Sequence, residues 1–316
     1  MIKLIKHKDI DKQKWDKCIG ESINGLVFGY SWFLDITSPK SWEGLIEMEI
    51  VDGNVFYISV FPIEYRRKAG IKYAYQSPFV VETDIFSIKP LTDQERSQFY
   101  DVLINHYKYI AKLIFSDQVK LPFPVKKHDT YIINFKQSYE SIFAQYKYDR
   151  KKDIRKAARQ QLKIKYSEDY QKLIDLINQY ILPKYDFSVI ANVQDTWEKL
   201  VKACLVNKKG LLLHTFKDDT DLDFSFYTIS KNRIHRYLCV ATPEGRKSGA
   251  ATFSIDYLIK TWASNNCQLD FVGIHNDNLH YFKSSFGGDV HHYQEISINN
   301  FPFYIKKLMS LRKRML

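Results

Sequence analysis

The stretch Ala241 to Trp262, ATPEGRKSGAATFSIDYLIKTW, decides how the second half of this chain is read. Its later part places apolar side chains at Ala251, Ile255, Leu258, Ile259 and Trp262, the spacing of a helix with one buried face. Its earlier part, Arg246-x-x-Gly249-x-Ala251, is a loop of small residues entering that helix. Such an entry presents unpaired backbone N–H groups and the positive end of the helix dipole, which suits a pyrophosphate or another anion. Taken alone, the six residues fit an ordinary turn with a solvent-facing arginine equally well.

The surroundings supply a frame. Upstream, the period-two runs Leu211 to Phe216, Leu222 to Ser230 and Arg233 to Val240 predict an antiparallel meander, with turns at 218–221 and 231–232. A short strand at 163–166 and two helices, about 168–182 and 194–207, precede it, separated by the break at Pro183. Downstream come a buried strand at 268–272, a short helix at 278–286, the pair Gly287-Gly288 and a strand at 291–298. The order is β, α, α, β, β, β, α, β, α, β.

The first 135 residues read as a second mixed segment. Strands are expected at 2–5, 44–51, 55–63, 71–75 and 130–135, and helices at 9–18, 30–36 and 93–115. Asp52-Gly53-Asn54 between two alternating runs is a hairpin signal. A basic helix, SYESIFAQYKYDRKKDIRKAARQQ (138–161), connects the halves. The reading is therefore an α/β (α+β) chain of two similar domains, 1–137 and 138–316, each a mixed, mostly antiparallel sheet flanked by helices.

Composition agrees. The 316 residues are roughly twice the usual length of one domain, 45% are apolar and 26% charged, and 22 Tyr with 21 Phe favour sheet. The net charge of +11 is localised. Lys147 to Lys165 holds nine Lys or Arg against two Asp, and the tail from Phe301 adds five cations and no acid, so the body is near neutral. Two basic patches on such a body point to an anionic ligand, an RNA or a membrane surface, or to plain solvated helix faces. Cys18, Cys204, Cys239 and Cys267 lie too far apart for a metal motif. No uncharged apolar run reaches ~18 residues, and the charged start MIKLIKHKDIDK lacks a leader's apolar region, so a cytoplasmic location is expected. No glycine lies between Gly70 and Gly210, which excludes a phosphate-binding P-loop there, and neither G-x-S-x-G nor H-E-x-x-H occurs. His291 and His292 are adjacent on a strand and face opposite ways, so no metal site is expected.

A meander, R-x-x-G-x-A opening a helix, then strand, helix and strand resembles the GNAT acyltransferase fold. Three blocks resemble its Fem-type branch, the aminoacyltransferases and acetyltransferase-like relatives: Asp153-Ile154-Arg155-Lys156-Ala157, Leu269-Asp270-Phe271-Val272-Gly273 and Tyr281-Phe282-Lys283-Ser284-Ser285-Phe286-Gly287. Tyr30-Ser31-Trp32-Phe33-Leu34-Asp35 is similar to that family's early aromatic helix. The resemblance implies tandem GNAT-like domains, the first degenerate, and an N-acyltransferase working on an amine acceptor, with a cell-envelope precursor among the candidates. The donor would be acyl-CoA or aminoacyl-tRNA, with no tightly bound cofactor and with the basic helix 147–165 available to tRNA. A catalytically inactive binder of RNA or of an anionic envelope precursor is the competing class.

By the same resemblance, Arg246, Lys247, Ser248, Gly249, Ala250 and Ala251 would bind the donor, with Gly249 leaving room for a phosphate. Lys283 would stabilise the developing oxyanion. Asp270 is open to two readings, a base or a structural carboxylate at a strand end. Phe282, Trp32 and Gln76 would meet the substrates, although Trp32 also fits a core. The chain departs from the GNAT pattern at Phe282, where simple members often carry Tyr, and Tyr281 lies about 100° around the helix. It departs again after Gln76, reading Val80-Val81-Glu82-Thr83-Asp84.

Overall fold

The computed structural model describes residues 2–184, 192–273, 277–303 and 306. They form two compact units. One runs to His128 and resumes at His292, and the other is Asp129–His291. The break thus falls nine residues before the expected 137/138 boundary, and the last strand belongs with the first unit.

In the first unit, β1 (Ile2–Lys6) precedes α1 (Lys12–Glu21) and α2 (Ser31–Thr37). Asp11 caps α1 by accepting from the Gln13 and Lys14 amides. β2 (Trp42–Val51) and β3 (Asn54–Lys68) make the expected hairpin, with Asp52 and Gly53 both at positive φ as a two-residue turn of this hand requires. β4 (Ile71–Tyr75) and the two-residue β5 (Phe86–Ser87) follow. The helix expected over 93–115 is in fact α3 (Asp93–His106) and then β6 (Tyr109–Ser116). A reciprocal Thr92–Glu95 capping box starts α3, whereas YIAKLIFS alternates buried and less buried residues and pairs in parallel with β4. Sheet pairing overrides an apolar run that also suits a helix.

The second unit opens with β7, whose full span is Lys126–Asn134. The long connecting helix is broken into α4 (Tyr139–Ala144) and α5 (Tyr148–Arg159). Tertiary contacts make the break: the Lys147 amide donates to the Ser285 carbonyl, and the Tyr146 ring packs edge-on against Phe286. Then come β8 (Lys163–Tyr166), α6 (Tyr170–Tyr180), α7 (Val193–Val206), β9 (Gly210–Lys217), β10 (Thr220–Ile229) and β11 (Arg233–Ala241). A short helix not expected from the sequence, α8 (Pro243–Ser248), precedes α9 (Ala250–Trp262), β12 (Gln268–Asp270) and α10 (Asp277–Ser284).

The sheet of this unit runs β7-β12-β11-β10-β9-β8, antiparallel except where β11 meets β12. Its core gathers Tyr131, Leu213, Tyr227, Ile255, Leu269 and Phe286. Gly287, at φ +76°, ends α10 where a Cβ would lie 2.4 Å from that of Gln145, so only glycine lets this turn close on α4. β13 (Asp289–Asn299) then carries the chain back, and Tyr293 onward pairs antiparallel with β6 in the first unit. Of the basic tail, Lys307, Arg312, Lys313 and Arg314 lie outside the described residues.

Phe286 has no exposed surface and touches the rings of Tyr146, Phe271 and Phe282. Phe286→Ala is expected to cost about 3–5 kcal/mol, read as a lowered denaturation midpoint by circular dichroism.

Candidate functional site

β12 is only three residues long, and its parallel pairing with β11 covers Arg233–His235 against Gln268–Asp270 and nothing further. Beyond it the backbone turns through two successive left-handed residues, Val272 at φ +54° and Gly273 at φ +57°. A β-branched residue there is strained and persists only where its surroundings enforce it. Asp270 enforces it. Its Oδ1 accepts from the Val272 amide at 2.8 Å and from Thr130 Oγ1 at 2.7 Å. The position read as a base or structural carboxylate thus shapes the turn, with the buried Arg233 guanidinium 4.0 Å away.

The turn aims two carbonyls at one point, and Lys283 of α10 fills it. Its Nζ donates to the Val272 oxygen at 2.7 Å and to the Gly273 oxygen. The residue is 4% exposed, so it is not a surface lysine. Burial lowers its pKa to about 8, helped by the Arg236 charge and opposed by Asp270 and Cys239.

Two guanidinium groups approach the Phe282 ring. Arg150 of α5 sits 4.9 Å from its ring centroid and Arg236 of β11 sits 6.0 Å from it. Beneath α9, the side chains of β10 add a buried acid. Asp223 has no exposed surface, accepts from Ser225 Oγ at 2.8 Å, and is pushed up to about 6 by burial, with Arg236 pulling the other way. Asp223 Oδ1 and Arg236 Nε make no hydrogen bond with any described residue.

Arg150, Asp223 and Arg236 did not emerge from the sequence. Asp223 and Ser225 alternate with Phe224 and Phe226, which reads as a solvent-facing side of a strand, yet the whole run Leu222–Thr228 is buried. An arginine interrupting the apolar alternation of β11 was the available signal for Arg236.

The Arg246 turn is built differently from the expectation. Thr242 caps α8 through the Gly245 amide, Gly249 adopts φ +81°, and α9 follows at once. Arg246 folds back to donate to the Ala241 carbonyl, and Lys247 is exposed with its own carbonyl taken by Lys156 Nζ. Ser248 bonds Gly245, Ala250 is buried and Ala251 half-buried. A Cβ on Gly249 would lie 3.1 Å from the Cβ of Asp153 on α5. The Asp153 carboxylate accepts from Thr252 Oγ1 in the first turn of α9 and pairs with Arg150 at 3.3 Å. Gly249 thus meets α5 on the side where a Cβ would project, and its positive φ by itself favours glycine.

The remaining candidates lie in the first unit. Trp32 is half-buried and stacks on Tyr30. Gln76 is buried with its amide spent on backbone, accepting from the Ile114 N–H and donating to the Val80 carbonyl. Tyr281 turns outward to Asp149 of α5.

The architecture is comparable with FemX: TM-score 0.65 at 10% identity, covering 96% of this chain and 98% of that one. This chain has a FemX-like fold. It is similar too to a conserved protein of unknown function from Bacteroides thetaiotaomicron (TM-score 0.59, 8% identity, 94% and 100% covered). L-PGS from Bacillus licheniformis is comparable as well (TM-score 0.53, 10% identity, 96% of each chain). No protein-family model matches the sequence, and no curated protein does. At these identities the likeness is one of fold. Among the described residues, no helix is long and apolar enough to cross a membrane.

If Asp153 is what Gly249 accommodates, Gly249→Ala costs stability through both its left-handed φ and that contact, about 1–3 kcal/mol. The expected readout is a lowered thermal midpoint. An unchanged midpoint would return the glycine to a ligand role.

Proposed function

We propose that this protein is an N-acyltransferase that moves an aminoacyl group from an RNA-borne ester to an amine, the acceptor being a cell-envelope precursor as the family resemblance implies. The observation that carries the reading is Lys283, a buried ammonium that feels the charge of Arg236 and follows Phe282, whose ring Arg150 covers. The amine nitrogen attacks the ester carbonyl, a C–N bond forms, the C–O bond to the ribose breaks, and the amine proton passes to the leaving oxygen. Negative charge gathers on the carbonyl oxygen in between. Lys283 commits two N–H groups to Val272 and Gly273, which fixes its position and leaves a third for that oxygen.

Two features favour an RNA-borne donor over acyl-CoA. Asp153 already places a carboxylate at the first turn of α9, where the resemblance seats a pyrophosphate. The other face of α5 presents Lys152, Arg155, Lys156 and Arg159 to solvent at helical spacing, a row suited to a phosphate backbone. The same Asp153 supports a second reading, an inactive binding protein for RNA or an anionic envelope precursor. Turnover separates the two.

With aminoacyl-tRNA and an amine acceptor, Lys283→Ala should lower turnover about a thousandfold, the equivalent of roughly 4 kcal/mol. Lys283 is charged below about pH 8 and neutral above it. Turnover should therefore fall as pH rises through that value, opposite to the effect of deprotonating the acceptor, and the variant should lose this alkaline limb. Absence of transfer from every aminoacyl-tRNA, with tRNA binding intact, would favour the inactive binder.

A further inference from the structure

The first unit holds a cationic cleft that the transfer reading does not use. β1, β2, β3 and β4 bring Lys6 next to Glu43 and Arg67 next to Lys72 at one end of their sheet. The cleft there has a volume of about 720 Å³, within the range of small-molecule sites. Its lining carries six cations, Lys6, Lys8, Lys12, Lys40, Arg67 and Lys72, against the single carboxylate of Glu43.

That carboxylate is committed elsewhere. Glu43 is buried, paired with Lys72 at 2.5 Å and accepting from Tyr107 Oη at 2.9 Å. Lys12 is likewise tied to Asp35. Lys6, Lys8, Lys40 and Arg67 are exposed and make no ion pair with any described residue. Tyr65 forms an aromatic wall, with Lys72 Nζ 4.2 Å and the Arg67 guanidinium 5.8 Å from its ring centroid. The field is felt nearby: burial, then Lys72, and more weakly Lys6, hold the His106 imidazole below its ordinary value although Glu43 pulls upward.

We infer that this cleft binds an anion bearing two or more phosphate charges, supplied either by a soluble diphosphate or by a phospholipid headgroup. Four unpaired cations around one concavity match multiple phosphate oxygens, and a ligand of lower charge would leave most of them unneutralised. The site lies wholly within the first unit and stands independently of the transfer chemistry.

The test is calorimetric titration of the full chain with inorganic pyrophosphate at low salt, and co-sedimentation with phosphatidylcholine vesicles containing phosphatidic acid. Each is repeated on Lys40→Gln/Arg67→Gln, on Lys8→Gln, and on a control in the other unit, Lys163→Gln/Lys165→Gln. Pyrophosphate binding that weakens roughly tenfold in the first double variant and holds in the control supports the inference with a soluble source. Vesicle binding alone, lost in the same way, supports it with a lipid source. All substituted side chains are exposed, so melting midpoints should stay constant, and Lys8→Gln reads the site if the double variant does not fold. Binding to neither probe overturns the inference, as does an equal loss in the control. So does binding of tRNA, but of neither probe, that depends on Lys40 and Arg67.

Discussion

The second unit is organised around the burial of one ammonium group. Removing a charge from water costs several kcal/mol unless hydrogen bonds replace the solvent. Lys283 is accommodated because two consecutive carbonyls converge on it, and they converge only because Val272 and Gly273 both take left-handed conformations. Asp270 holds that turn through the Val272 amide, and Thr130 of β7 holds Asp270. A three-residue strand, a strained valine followed by a glycine, and a short helix thus depend on each other. Phe282 and Phe286 seal α10 onto the sheet beside them.

α5 does two jobs with one sequence. Arg150, Asp153 and Ala157 recur at helical spacing and turn inward, where Arg150 meets Phe282 and Thr252 and Asp153 meets Thr252 and the Gly249 turn. Lys152, Arg155, Lys156 and Arg159 occupy the exposed remainder. The positive charge of the segment is therefore split. One arginine acts in a buried aromatic setting, while the others face water, where salt screens them. Net charge alone gave no hint of this division.

The buried acid Asp223 adds a different kind of constraint. With one oxygen unpaired and its acidity weakened by burial, it lies near a guanidinium that is itself incompletely bonded. A buried carboxyl and a buried guanidinium so placed make each other's charge state interdependent.

The sequence by itself determined the element order, the hairpin at Asp52-Gly53, the meander and the helix after Gly249, because periodicity and turn chemistry are local properties. It also carried Lys283 and Asp270 as candidates, through short blocks resembling Fem-type proteins. Tertiary structure decided the rest. Pairing in a sheet split 93–115 into α3 and β6, and the Lys147–Ser285 contact broke the connecting helix. α9 buried a strand face that alternates like a solvent face, which hid Asp223. Gly249 was legible as a special position, but what it makes room for was not. A Cβ there would meet Asp153, 96 residues earlier in the chain, and packing between distant segments leaves no mark on local spacing.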